Sequence, residues 1–183
     1  GALNRNSHSR ANQDGPEEYG FRGNAQNLDL NRDFVKCDSR NSESFAKLLN
    51  VMDPDFYIET HVSNGADYQY TMTYLATQPD KLGNSMGTYL RSTLIPEMNL
   101  KMTAKNQTMV PYVNHWGGPL KDDYATFYDS PRYSSGLTTL HNMYGFVTET
   151  HMLKPFKQRV EATYDFLRSA IEFCNENSAS LKQ

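Results

Sequence analysis

The sequence predicts one α/β layered domain, and three observations carry that expectation. Apolar residues recur at helical spacing in Phe45, Leu48, Leu49 and Met52. A β-branched and aromatic stretch, Asp55-Phe56-Tyr57-Ile58-Glu59-Thr60-His61, follows almost at once. A second strand pattern near residues 144–150 then leads into a long amphipathic C-terminal helix. Strands and helices in alternation belong to layers, whose loops at strand ends can carry chemistry.

Residues 1–25 are poor in apolar side chains, rich in Asn, Arg, Gly and Ser, and show no sustained period. A compact domain rarely keeps so long an irregular segment unless it is functional or cut from its context. The first helix begins at Asn41 and ends at Asp53-Pro54. The strand over residues 55–61 stops at Ser63-Asn64-Gly65. Its period of two sets Tyr57, Glu59 and His61 on one face, and Phe56 and Ile58 on the other. A second helix fits residues 83–95, with Met86, Leu90 and Leu94 on one side and Pro96 closing it. Residues 108–113 and 144–150 are further strands. The last helix has Pro155 near its first turn and Phe156, Val160, Leu167, Ile171 and Cys174 along one apolar stripe.

The chain has 183 residues, the length of one domain, and no internal repeat. Its mean hydropathy is −0.72, and much of the polarity comes from Asn, Ser, Thr and Tyr, not from charge. A net charge of −3 leaves no basic footprint, which argues against a nucleic-acid partner. No apolar run approaches the roughly 20 residues that span a bilayer. The first residues lack the basic and apolar regions of a signal peptide, which does not assign a compartment because a mature start would not show them. Cys37 and Cys174 form no metal motif and read as free, small apolar residues.

The run Asn27-Leu28-Asp29-Leu30-Asn31-Arg32-Asp33-Phe34 sets an amide beside a guanidinium, with Arg22 upstream. Such a pair suits a planar carboxylate, because the guanidinium fork grips both oxygens and the amide adds a donor and an acceptor. Taken alone, the tetrad Asp29-Leu30-Asn31-Arg32 fits a capped turn equally well. His61 ends a strand, where an imidazole can point into a crevice at the sheet edge or serve as a hydrogen-bonded structural residue. Glu149 ends another strand behind apolar Phe146 and Val147, a desolvated setting that suits a general base or a salt-bridged strand end. His151 shares the face of Glu149 and is expected to turn to solvent.

Arg22, then Asp29-Leu30-Asn31-Arg32, then Ile58-Glu59-Thr60-His61, then Thr148-Glu149-Thr150-His151 resemble, in order and spacing, the zinc metallocarboxypeptidase family of the carboxypeptidase A type. The resemblance runs from about residue 20 to about residue 175. It implies a three-layer mixed-sheet α/β fold, with residues 26–177 as the C-terminal part of a catalytic domain, 1–25 as lead-in and 178–183 as a tail. It implies that Asn31 and Arg32 bind the terminal carboxylate of a substrate and that His61 binds zinc. Arg22 would polarise the scissile carbonyl, and Glu149 would take a proton from the attacking water and return it to the leaving amine. The mobile tyrosine of the family corresponds to Tyr133, in Ser130-Pro131-Arg132-Tyr133-Ser134-Ser135-Gly136, with Tyr128 as the second candidate.

The chain departs from that family in lacking a His-Xaa-Xaa-Glu element. Three positions after His8, His61, His115, His141 and His151 stand Ala11, Asn64, Gly118, Tyr144 and Lys154. The expectation is a domain truncated at its N-terminus, with the other two zinc ligands supplied upstream. Such a chain would bind zinc weakly, show little peptidase activity alone, and expose an edge that an oligomer could cover. Its substrate would be a peptide or a small acylated amino acid with a free carboxylate. Two alternatives stand beside the peptidase: an N-acyl amino acid deacylase of the same fold, and a non-catalytic carboxylate-binding module. Residues 78–130, with Asn114-His115-Trp116-Gly117-Gly118, would shape specificity, and residues 138–141 are the region expected to hold the pocket residue. The resemblance favours a secreted or periplasmic protein.

Overall fold

The computed structural model describes residues 22–63, 67–113 and 125–181, together with two short strands in the lead-in. Those strands, β1 (Arg5–Asn6) and β2 (Tyr19–Gly20), pair antiparallel over two residues each. The motif around His115 lies outside the described residues. Helix α1 (Arg40–Met52) starts where Ser39 Oγ accepts the Ser42 N–H, and it ends at Asp53 in the left-handed region. Only part of its expected stripe is covered: Leu49 is buried and Phe45 half-buried, while Leu48 and Met52 face outward.

Strand β3 (Phe56–Ser63) forms as the alternation predicts. Strand β4 (Met72–Ala76) was not anticipated, although Tyr70-Thr71-Met72-Thr73-Tyr74-Leu75 carries the same β-branched and aromatic signal. Short helices α2 (Pro79–Leu82) and α3 (Asn84–Tyr89) follow, then a π-turn over Leu90–Leu94 and helix α4 (Ile95–Ala104). The expected stop at Pro96 is therefore corrected. Proline lacks an N–H and crowds the carbonyl four residues back, and the wider turn before it absorbs both demands without ending the rod. Strand β5 (Met109–Pro111), helix α5 (Ser134–Leu140), strand β6 (Tyr144–His151), helix α6 (Phe156–Glu176) and the single turn α7 (Ser178–Leu181) complete the described chain.

The main sheet has the order β3-β6-β4-β5. Strands β3 and β6 run parallel, β4 is antiparallel to β6, and β5 is parallel to β4. Phe146 sits at the centre of the core on one face. It stacks on Phe56 at 5.6 Å between ring centroids and meets Phe166 at 5.7 Å and Tyr74 at 6.0 Å. Leu90, Leu94, Met98 and Met102 close the same layer, with Ala162, Phe166, Ala170 and Phe173 of α6. The opposite face carries α1 and α5 through Leu49, Leu137 and Met143, and a loop cluster of Tyr68, Tyr112 and Val113.

Helix α6 reverses the sequence expectation. Phe156 is 72% exposed and Ile171 70%, with Val160 and Tyr164 exposed beside them. The buried stripe is instead Ala162, Phe166, Ser169, Ala170 and Phe173. Small residues let the helix axis approach the sheet, and two phenylalanines then fill the space between. Close approach also explains Gly145. A Cβ there would lie 2.6 Å from Thr138 Oγ1 and 2.7 Å from Thr77 Oγ1. Those two hydroxyls bond each other at 2.7 Å, and Thr77 Oγ1 accepts the Gly145 N–H at 2.8 Å, which seats α5 against β6.

Candidate functional site

Parallel pairing of β3 with β6 sets His61 directly beside Glu149 and Glu59 beside Val147. Because side chains alternate, Glu59, His61 and Glu149 share the face turned away from Phe146. His61 lies between two carboxylates. Its Nε2 stands 2.7 Å from Glu59 Oε1, and its Nδ1 stands 3.2 Å from Glu149 Oε1. Both ring nitrogens face acceptors, so the ring carries a proton on each. Burial alone would push the His61 pKa down, but the two carboxylates outweigh burial and raise it to about 10. Glu59 responds in the opposite sense. Burial favours its neutral form, yet the His61 ring and the Ser134 hydroxyl hold it below the usual carboxylate range.

Ser134, the first residue of α5, donates its hydroxyl to Glu59 Oε2. It also lies against Tyr57, whose phenol is pushed far above its ordinary value, first by burial and then by the Glu59 charge. On the other side, Tyr112 is pushed up to about 12 by burial and by the charge of Glu149.

Tyr133 immediately precedes Ser134. The Arg32 guanidinium stands over its ring at 4.6 Å from the centroid, while Phe127 packs edge-on at 4.8 Å. Arg32 therefore reaches Glu59 through Tyr133 and Ser134 in a continuous chain of contacts. The turn that carries Arg32 is anchored twice. Asp29 caps the short 3₁₀ turn Leu30–Arg32 by accepting the Asn31 N–H at 3.0 Å, so the tetrad is a capped turn. Asp33, buried at 4% exposure, accepts the N–H groups of Asp38 at 2.9 Å and Ser39 at 3.0 Å. Burial would raise the Asp33 pKa, but hydrogen bonds from Ser42, Asp38 and Ser39 bring it down to about 2. The loop is tied in this way to the start of α1.

The structure brings together four of the sequence-predicted residues: Arg32, Tyr133, His61 and Glu149. Asn31 lies in the capped turn beside Arg32, half-buried. Arg22 is exposed, and its guanidinium Nε pairs with Asp29 Oδ2 at 2.5 Å. Among the described residues, no hydrogen bond or ion pair joins Arg22 to His61 or Glu149. Tyr128, the second tyrosine candidate, is exposed and covers Lys81 at 4.3 Å. His151 corrects the expectation of a solvent-facing ring. It is buried, with Nε2 at 2.8 Å from Asp67 Oδ1 and Tyr68 edge-on beside it, because these two residues cover that end of β6. Sequence reasoning assigned no role to Glu59 or Ser134. The period of two that aligned Glu59 with His61 was the available signal for the first. No sequence pattern connected Ser134 to strand β3.

Among the described residues, no group of three His, Cys, Asp or Glu side chains is arranged to hold a metal ion. His61 can serve as a single metal ligand only if one of its ring nitrogens gives up its proton and its carboxylate partner, since Nε2 faces Glu59 and Nδ1 faces Glu149. Around Ser134, the side chains of Phe45, Leu49, Tyr57, Leu137, Thr138 and Met143 come together and leave no room between them for a water molecule. Thr138 belongs to the segment expected to hold the pocket residue, whereas His141 is exposed. No helix among the described residues is long and apolar enough to cross a membrane.

No family model and no curated protein matches the sequence. Among solved structures, the chain is similar to a metallo-carboxypeptidase from Burkholderia cenocepacia, with a TM-score of 0.58 and 14% identity. The likeness covers 83% of this chain and 40% of that one, so the chain spans less than half the length of the protein it resembles. What this similarity establishes is the architecture: a mixed α/β sheet of the carboxypeptidase kind.

Proposed function

We propose that this chain carries the carboxylate grip and the general base of a zinc-dependent metallocarboxypeptidase that hydrolyses C-terminal peptide bonds. The observation that carries the reading is the apposition of His61 Nδ1 and Glu149 Oε1 at 3.2 Å, on a fold of the carboxypeptidase kind. Arg32 and Asn31 would receive the terminal carboxylate, with Tyr133 closing over it from the same stack. Glu149 would accept a proton from water and deliver it to the leaving amine. Arg22 would meet the carbonyl oxygen as negative charge develops, which requires it to exchange its Asp29 partner for substrate.

His61 would hold the zinc ion through Nδ1, and further ligands would have to come from residues other than those described. When bound, that ion would activate water and polarise the carbonyl. Nδ1 must first lose its proton, and the two flanking carboxylates, which raise the His61 pKa against the effect of burial, oppose that loss. The chain alone is therefore proposed to bind zinc weakly.

The lack of a three-ligand cluster among the described residues favours a second reading, a non-catalytic carboxylate-binding module. The two are separated by expressing the chain with any sequence that precedes Gly1 in its gene, then measuring zinc content and C-terminal trimming of peptides. Stoichiometric zinc, with trimming abolished by Glu149→Gln, supports the peptidase. Binding of acylated amino acids without zinc or turnover supports the module, and undiminished turnover by Glu149→Gln removes Glu149 as the base.

A further inference from the structure

We propose that Glu59 is a positioning residue that orients the His61 ring and ties it, through Ser134, to the loop carrying Tyr133. This inference rests on the reading of His61 as a ligand-bearing residue of the same site.

Three observations point to it. First, Glu59 and His61 are two apart on one strand, so their side chains leave β3 in the same direction, and Oε1 lies 2.7 Å from Nε2. An imidazole can rotate about two side-chain bonds. A carboxylate on Nε2 removes that freedom and leaves Nδ1 directed at Glu149. Second, the other oxygen of Glu59 is not left to water. It accepts the hydroxyl of Ser134, a residue buried at the start of α5. Each carboxylate oxygen of Glu59 thus has one partner from each side of the site. Third, the peptide linking Tyr133 to Ser134 makes the far end of this arrangement the ring on which Arg32 lies. Arg32 and His61 are joined by a path made of one stack, one peptide link and two hydrogen bonds.

A carboxylate holding the outer nitrogen of a histidine is how ligand histidines are kept in one tautomer, and its loss typically weakens metal affinity by about 10–100-fold. A salt bridge serving stability alone would not need the second oxygen to engage the tyrosine loop. Nor would it select which nitrogen faces the neighbouring carboxylate. The geometry assigns Glu59 both tasks.

The test uses the whole chain without metal and follows the His61 ring nitrogens by NMR. In the parent protein, the Nε2 proton should be observable and slow to exchange, with the ring held in one orientation. Glu59→Ala should abolish that protected proton and let the ring adopt more than one orientation, whereas Glu59→Gln, which keeps an oxygen acceptor, should restore most of the order. Ser134→Ala should shorten the lifetime of the same proton while leaving β3 intact, and it decides the matter if Glu59→Ala does not fold. Unchanged ring-nitrogen shifts and proton protection in Glu59→Ala, or in Ser134→Ala as the folded substitute, overturn the inference. A separate titration with Co(II) addresses the ligand reading. Loss of about 10–100-fold in affinity in Glu59→Ala supports both. A parent chain that shows the protected, oriented ring yet binds no Co(II) supports the positioning role and counts against the peptidase reading.

Discussion

Substituting Asp33 by Asn should destabilise the protein by about 2–3 kcal/mol at neutral pH, and the deficit should vanish in acid. Asp33 is buried, receives two backbone N–H groups and a serine hydroxyl, and has its pKa lowered from 3.8 to about 2. A carboxyl group whose pKa is lower in the folded state stabilises the fold above its unfolded pKa. That contribution disappears as pH falls through the folded value. About two pKa units correspond to about 2–3 kcal/mol, present in full above pH 5, roughly halved near pH 3 and nearly gone at about pH 2. Asparagine also turns an NH₂ group towards the Ser39 N–H, so one backbone donor loses its acceptor. Urea unfolding of the parent and Asp33→Asn at pH 7, 4.5 and 3 measures the difference directly. With a slope of about 2 kcal/mol per molar for a domain of this size, the midpoint should fall by about 1 M at pH 7. A deficit below about 0.5 kcal/mol at pH 7, or one that does not shrink in acid, would refute the claim that this carboxylate anchors the Arg32 turn to α1.

Three further outcomes follow from the same contacts. In metal-free protein, the His61 ring should titrate near 10 by NMR instead of near 6.5; since this pKa is raised by folding, its contribution to stability is complete below 6.5 and lost as pH rises through about 10. A ring titrating at an ordinary value would show that Glu59 and Glu149 do not both engage it. Gly145→Ala should cost about 1–3 kcal/mol in thermal unfolding, because the new methyl group meets two hydroxyls and a methyl of Thr77 and Thr138 at 2.6–2.8 Å. Phe173→Ala should cost about 3–5 kcal/mol, whereas Ile171→Lys, two positions away on the exposed side of α6, should change stability by less than about 0.5 kcal/mol. Equal effects at the two positions would show that the helix is oriented otherwise.

Local order along the chain was legible wherever one residue's surroundings come mostly from its own element. The alternation in Phe56–Ser63 located β3 and sorted Glu59 and His61 from Phe56 and Ile58, because a strand's side-chain period is a property of its backbone. The start of α6 after Pro155 was readable for a similar reason: proline, with its fixed φ and missing N–H, suits a helix entrance. Which face of α6 is buried was not readable. Phe156, Val160, Leu167 and Ile171 make a better apolar stripe than the one that reaches the sheet, and the closeness of approach allowed by Ala162, Ser169 and Ala170 decided between them. Pro96 misled in the same way, since a π-turn just before it lets the rod continue.

The candidate site divides along the same line. Arg32, His61 and Glu149 were suggested by their places at a turn or strand end, where function is commonly found, and Tyr133 only by the family resemblance. Their meeting depends on parallel pairing between strands more than 80 positions apart and on the glycine that lets α5 settle against β6. Glu59 and Ser134 could enter the site only through that packing, since the bond between them joins segments 75 positions apart. The sequence by itself determined which side chains leave each strand together. Tertiary structure decided which of them touch, because register between distant strands is set by the whole packed core and by no local pattern.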